Sequence, residues 1–266
     1  MTALGAALGA ALGGIETAVG VGAGAIQAPP TDWGFIVENA DYLLAGAVVT
    51  VLLTATSLLL GFLAGFPAGT VEVYGGGWLR RVVRTAGVLL RGTPILVILV
   101  FAFFAAPVPL PSGSVTVPFP GLPPVDVGLS AFTAAALGLG LRSAAYQSQI
   151  FRGALQSVDA GQMEAARAVG LSKLGAIRHV VLPQALRRSI PGFQNEFTIV
   201  LKDTSIAFAI GLAEILTRSY DLFVQQTTAT LEVVLFISLV YFLLTVFTNR
   251  TLDYLDRRYA IPGGKG

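Results

Sequence analysis

Cysteine is absent from the 266 residues, histidine occurs once, and only 12% of the chain is charged. Without cysteine there are no disulfides, thiolate metal sites or dithiol redox motifs. His179 alone cannot build a multi-histidine site, so no bound metal is expected. A soluble domain carries roughly a quarter charged residues. No G-x-x-x-x-G-K-[ST] loop occurs, and the single Gly-Lys pair, Gly264-Lys265, is followed by Gly266. The chain therefore has no ATP site of that kind. His179 has no serine or carboxylate partner suited to intramembrane proteolysis, and there is no selectivity-filter sequence. Gly138-x-Gly140 lies in an apolar run, where packing is expected rather than a nucleotide turn. A net charge of +2 gives no ground for nucleic acid as a partner.

What the chain has is long apolar runs, within a composition that is 54% hydrophobic. These are the mark of an integral membrane protein. The first span is expected from Tyr42 to Phe66, ending at Pro67, longer than the ~20 residues a bilayer requires. On it Thr50, Thr54 and Ser57 share one face, suited to helix–helix contact in lipid. A second span is expected from Val82 to Ala106. Within it, Thr93-Pro94 either caps a new helix or kinks a continuous one. Residues 107–128 hold seven prolines and only Asp126 as a charge, and read as an ordered or semi-extended loop. Further spans are expected at Leu129–Phe151, Pro191–Leu212 and Glu232–Thr248. Residues 1–31 are rich in Ala and Gly, with no Lys or Arg. They lack the basic start of a signal peptide and are not expected to span. The division is thus 1–41 extension, 42–255 membrane domain and 256–266 tail.

Thirteen of the 17 Lys and Arg residues fall in three segments: 80–84, 152–188 and the tail from Arg250. The intervening non-membrane segments hold only Arg218. Positive charge marks the cytoplasmic side. Five spans with the N-terminus outside and the C-terminus in the cytoplasm satisfy this alternation, placing the chain in the cell membrane.

The polar interruption at 161–185 then lies in the cytoplasm. Glu164 to Ala168 favour helix. Gly170 can reverse the chain after it. Ser172 can cap a second short helix, expected to end near Val181 before Pro183. A small rigid loop of this kind either merely joins two spans or is gripped by another protein.

The motif Glu164-Ala-Ala-Arg-Ala-Val-Gly170, with Leu182-Pro183 after it, resembles the EAA loop of ABC importer permeases. Arg91-Gly-Thr-Pro-Ile-Leu, Ala145-Tyr-Gln-Ser-Gln-Ile-Phe-Arg-Gly153, Leu182-Pro-Gln-Ala-Leu-Arg187 and Leu201-Lys-Asp-Thr-Ser-Ile206 are similar to the polar amino acid permease subfamily (histidine, glutamine and arginine type). The resemblance covers about residues 42–255. It implies an all-α membrane fold of five transmembrane helices (type I, MetI-like) with cytoplasmic coupling helices in a loop of about 157–185. It further implies a second permease subunit, identical or a paralogue, a cytoplasmic ABC ATPase dimer that binds the ATP, and an extracytoplasmic substrate-binding protein. The chain is then a transport subunit and not itself an enzyme. Glu164, Ala165, Ala166, Arg167, Gly170 and Pro183 are the expected ATPase-coupling residues. Where the family often has Glu, this chain has Gln149, which removes a carboxylate from the local salt-bridge pattern.

Charged and polar groups inside the spans mark a pathway or a structural pair. Arg142, Tyr146 and Gln149 share one helical face, and Glu196 shares another with Asp203. Arg142 or Lys202 can read a substrate carboxylate, with Asp203 or Glu196 for the amino group. Equally, they can hold helices together, and for Lys202-Asp203 the structural role is favoured. Arg152 is expected to anchor at the cytoplasmic boundary. The rival function is a stand-alone secondary carrier or channel with an ion-coupled Lys202/Asp203 site.

Overall fold

The computed structural model describes residues 32–105 and 109–259. Expectations for residues 1–31, including whether 4–28 span, lie outside the described residues. A short α1 (Trp33–Glu38) leads into α2 (Ala40–Tyr74). With 35 residues, α2 is about 52 Å long, well beyond the ~30 Å hydrocarbon core. It does not end at Pro67 but runs through it to Tyr74. Packing on both sides of the proline, at Gly65 and Gly69, offsets the lost backbone hydrogen bond.

The expected second span is two helices, α3 (Gly77–Gly92) and α4 (Ile95–Phe104), bent by 104° at Thr93-Pro94. Thr93 sits in extended backbone, as the residue before proline must. Its hydroxyl donates to Leu89 O at 2.8 Å, so it closes α3 rather than capping α4.

The proline-rich segment is not a loop throughout: β1 (Ser114–Phe119) pairs antiparallel with β2 (Leu122–Gly128) around Pro120-Gly121. Val115 and Val117 stand opposite Val127 and Val125, and the last two are buried. A two-stranded sheet has only edge strands, so Pro118, Pro123 and Pro124 are tolerated.

Next come α5 (Leu129–Ser157), α6 (Ala160–Ala168) and α7 (Lys173–Ala176). A π turn at Ile177–Val181 carries the chain without interruption into α8 (Leu182–Asp203) and a 3₁₀ stretch, Thr204–Ile210. The short helix expected to stop before Pro183 and the span expected to start at Pro191 are therefore one helical run. Pro183 follows directly on the π turn and lies inside this run. The last elements are α9 (Ile215–Gln225), a 3₁₀ turn (Thr227–Ala229) and α10 (Thr230–Tyr259), which overruns the expected Thr248.

Among the described residues, α2 and Thr227–Tyr254 are long and apolar enough to cross a membrane, and the bent α3–α4 pair makes a third if counted as one span. Helices α5 and α8 have 29 and 22 residues but carry polar halves. The central contact is α2 on α5. Thr50, Thr54 and Ser57 are buried as the shared face predicts, and Gly61, Gly65 and Gly69 continue that face. A Cβ on Gly65 would lie 2.6 Å from Ala144 O, and on Gly69 2.7 Å from Ser148 O, so the backbones touch. Gly140 packs likewise against Leu60, as its apolar setting implied. The apolar core falls into three clusters. One joins α2, α4, the hairpin and α5; a second joins α1, α2, α9 and α10; a third lies at the far end of α5.

Candidate functional site

At the end of α5 away from the hairpin, the chain folds into a knuckle of α6 and α7. Asp159 caps α6 by accepting from Gly161 N at 2.7 Å. Ser172 caps α7, accepting from Gly175 N at 3.1 Å, as the sequence implied. Between them, Gly170 has φ +92°, in the left-handed region. Gly170 N donates to Arg167 O at 3.0 Å and Leu171 N to Ala166 O at 3.1 Å. This is the Schellman pattern that closes a helix on a left-handed glycine.

The knuckle stands on a firm base. Ala154, Leu155, Val158, Val181 and Ala185 are buried together, with Met163 from α6 and Val73 and Tyr74 from α2 against them. Arg188 clamps the α5 end by donating to Ser157 O. Ala166 is turned into this base, whereas Glu164, Ala165, Arg167 and Pro183 are exposed. Glu164 and Arg167 form no ion pair with each other among the described residues. Two apolar side chains the sequence did not single out, Val169 (80% exposed) and Leu174 (74%), project beside them. Exposed His179 bonds back to its own helix at Gly175 O, 2.9 Å.

The polar residues of α5 and α8 behave differently. Arg142 pairs with Asp203 and lies 5.2 Å from the centroid of the Tyr146 ring. Ser143 donates to the buried Glu196 at 2.7 Å, and Gln147 donates to Ser143 at 3.0 Å and to Leu58 O at 3.2 Å. Gln149 is separate from the Arg142 group: it donates to Glu72 on α2 at 2.9 Å. Glu72 also takes a hydrogen bond from Ser148 at 3.4 Å and an ion pair from Arg152 at 3.6 Å. Arg152 thus anchors the boundary of the bundle through a carboxylate on another helix. Lys202 points away, exposed, and forms no ion pair among the described residues. An apolar cavity of about 300 Å³ lies between α2, α5, α8 and α10, lined by Leu58, Phe62, Gln147, Phe193 and Phe197 among others. None of the six residues proposed for a pathway lines it. Sequence reasoning passed over Glu72, although a signal existed: it is the only acidic residue between Asp41 and Asp126.

The described residues thus form a helical bundle with helices long and apolar enough to cross a membrane and an exposed polar knuckle at one end. Residues 57–261 match the family of binding-protein-dependent transport system inner membrane components, and the chain belongs to that family. It is 34% identical over 231 residues to the glutamine transport system permease protein GlnP of Escherichia coli (strain K12), covering 86% of this chain and 98% of the relative. It is 33% identical over 228 residues to the L-cystine transport system permease protein TcyL of Bacillus subtilis (strain 168), covering 85% and 91%. A crystal structure of an amino acid ABC transporter with histidines has a chain that superposes with a TM-score of 0.69 at 28% identity, covering 84% of this chain and 96% of that one. The MetNI methionine ABC transporter shares the fold, with a TM-score of 0.60 at 20% identity.

Proposed function

We propose that this chain is the five-span permease of an ATP-driven importer of polar amino acids, with its N-terminus outside and its C-terminus in the cytoplasm. The knuckle is the coupling loop. One observation carries this reading: an exposed, capped and firmly based knuckle offers Glu164 and Arg167, without an ion pair among the described residues, beside Val169 and Leu174. Exposed apolar groups next to free charges suit a protein groove better than water. Ala165, Arg167 and Glu164 would touch a cytoplasmic ATPase, while Ala166 and Gly170 hold the shape and Pro183 starts the helix that carries motion into the bundle.

ATP bound by that ATPase dimer drives the cycle, a second permease copy or paralogue completes the pathway, and an extracytoplasmic binding protein delivers the amino acid. Relatives named for glutamine and cystine transport support the substrate class. In the bundle, Arg142 holds Asp203 and lies over Tyr146, Glu196 and Gln149 are engaged across helices, and Lys202, exposed and without an ion pair among the described residues, would meet a substrate carboxylate or the second subunit.

The test is ATP hydrolysis by the reconstituted complex across a panel of amino acids. Stimulation by a few polar amino acids is expected, and only with the binding protein present. Uptake by the chain alone, with no ATPase, would contradict the proposal and favour the stand-alone carrier.

A further inference from the structure

Arg91 carries a charge that its surroundings do not balance. It stands in the last turn of α3, just before the Thr93-Pro94 bend and inside the stretch expected as the second span. It is half-buried and donates to Ala145 O of α5 at 2.6 Å. It forms no ion pair among the described residues, and the sequence holds no acidic residue between Glu72 and Asp126. Holding one carbonyl oxygen takes a single N–H, which a neutral side chain supplies. A guanidinium brings further donors and a full charge into the span, a costly choice that marks a pathway or a partner.

The neighbours on α5 show where that charge sits. Arg142, Tyr146 and Gln149 share one face of α5, and Ala145 lies at its edge. On one side of this face pack α3, with Arg91 on Ala145, and α4, with Leu99 3.0 Å from where a Cβ on Gly138 would stand. On the other side packs α8, with Glu196 on Ser143 and Asp203 on Arg142. Gly153 continues the face beyond Gln149, and a Cβ there would meet nothing within 4 Å. The result is a groove floored by α5 and walled by α3–α4 and by α8. Within it Asp203 balances Arg142 and Glu196 is engaged by Ser143, while Arg91 faces no carboxylate. A guanidinium pairs with a carboxylate through parallel N–H groups, and a carboxylate is what every free amino acid carries.

We propose that Arg91 is a substrate-recognition residue: its guanidinium receives the α-carboxylate of the transported amino acid in the groove between α3–α4, α5 and α8. This rests on the amino acid permease reading given above.

The purified full chain in detergent is heated with glutamine, histidine, arginine or cystine, each compared with its α-carboxamide. Binding raises the unfolding temperature. At least one amino acid is expected to stabilise the parent, with a half-effective concentration about tenfold or more below that of its carboxamide. Arg91→Gln should lose that preference. Were Arg91 only a clamp on Ala145, Arg91→Gln would lower the unfolding temperature and leave the preference as it was. Arg91→His covers the case in which Arg91→Gln does not fold. Its charge comes and goes with pH, so the preference should be present at about pH 5.5 and lost at about pH 8. The proposal is overturned if none of the four amino acids stabilises the parent, if acid and carboxamide act alike on it, if the preference survives in Arg91→Gln, or if it is independent of pH in Arg91→His. No ATPase enters the measurement, so a failure here is distinct from a failure of the ATP-driven reading, which shows as uptake by the chain alone.

Discussion

Two glutamates mark the difference between the bundle and its knuckle. Glu72 is buried and holds Ser148, Gln149 and Arg152 of another helix. Glu164 is exposed and holds nothing among the described residues. Two glycines repeat the contrast. Gly65 is a matter of space, because a Cβ there would meet the Ala144 carbonyl oxygen at 2.6 Å. Gly170 is a matter of backbone, because a Cβ there meets nothing within 4 Å but φ is +92°. The bundle uses its polar and small residues on itself. The knuckle uses Asp159, Ser172 and Gly170 to close its own helices and leaves Glu164, Arg167, Val169 and Leu174 exposed.

The contrast breaks most readily in the bundle. Gly65→Val must push α2 off α5 at a backbone-to-backbone contact, and overpacking of that kind costs about 3 kcal/mol. Thermal unfolding of the detergent-solubilised protein should show the largest loss here, and a transition unchanged from the parent would mean the two helices are not in register as described. Glu72→Ala comes next. It leaves the Gln149 amide and the Arg152 guanidinium without their acceptor, at about 2 kcal/mol. Glu164→Ala sharpens the comparison from the other side. Its unfolding should stay within about 0.5 kcal/mol of the parent, as for an exposed site away from any bond, while amino acid uptake falls. Equal destabilisation by the two glutamate substitutions would erase the distinction drawn here.

Much of the knuckle was legible before any coordinates, because its turn chemistry is local. Gly170 and Ser172 announce a left-handed helix stop and a fresh cap within three residues, and both sit as expected. The Thr50–Thr54–Ser57 face was legible for the same reason, since helical spacing alone aligns it. Element ends were read less well. Pro67, Pro183 and Pro191 look like boundaries in a sequence, yet each lies within a helical run that tertiary packing sustains. Thr93-Pro94 does break its helix, and by 104°, with Thr93 held in extended backbone before the proline. Partnerships across the bundle were the least legible. Spacing allowed Lys202 and Asp203 to hold other helices but named no partner; Asp203 pairs with Arg142 on α5, whereas Lys202 forms no ion pair among the described residues. Nor could spacing show that Gln149 leaves the Arg142 face to meet Glu72, since that contact depends on where α2 ends.

The central claim is that the knuckle passes motion to or from a motor outside the chain. Gly170→Asp tests it most directly, since the backbone cost is about 1 kcal/mol and the new side chain enters open space beside the exposed Glu164 and Arg167 helix. Uptake and ATP hydrolysis are measured together in membranes carrying the full complex. The account predicts permease at normal abundance in the membrane, with uptake lost and ATP hydrolysis no longer responsive to the amino acid. Normal, ATP-coupled uptake by the Gly170→Asp protein would contradict it.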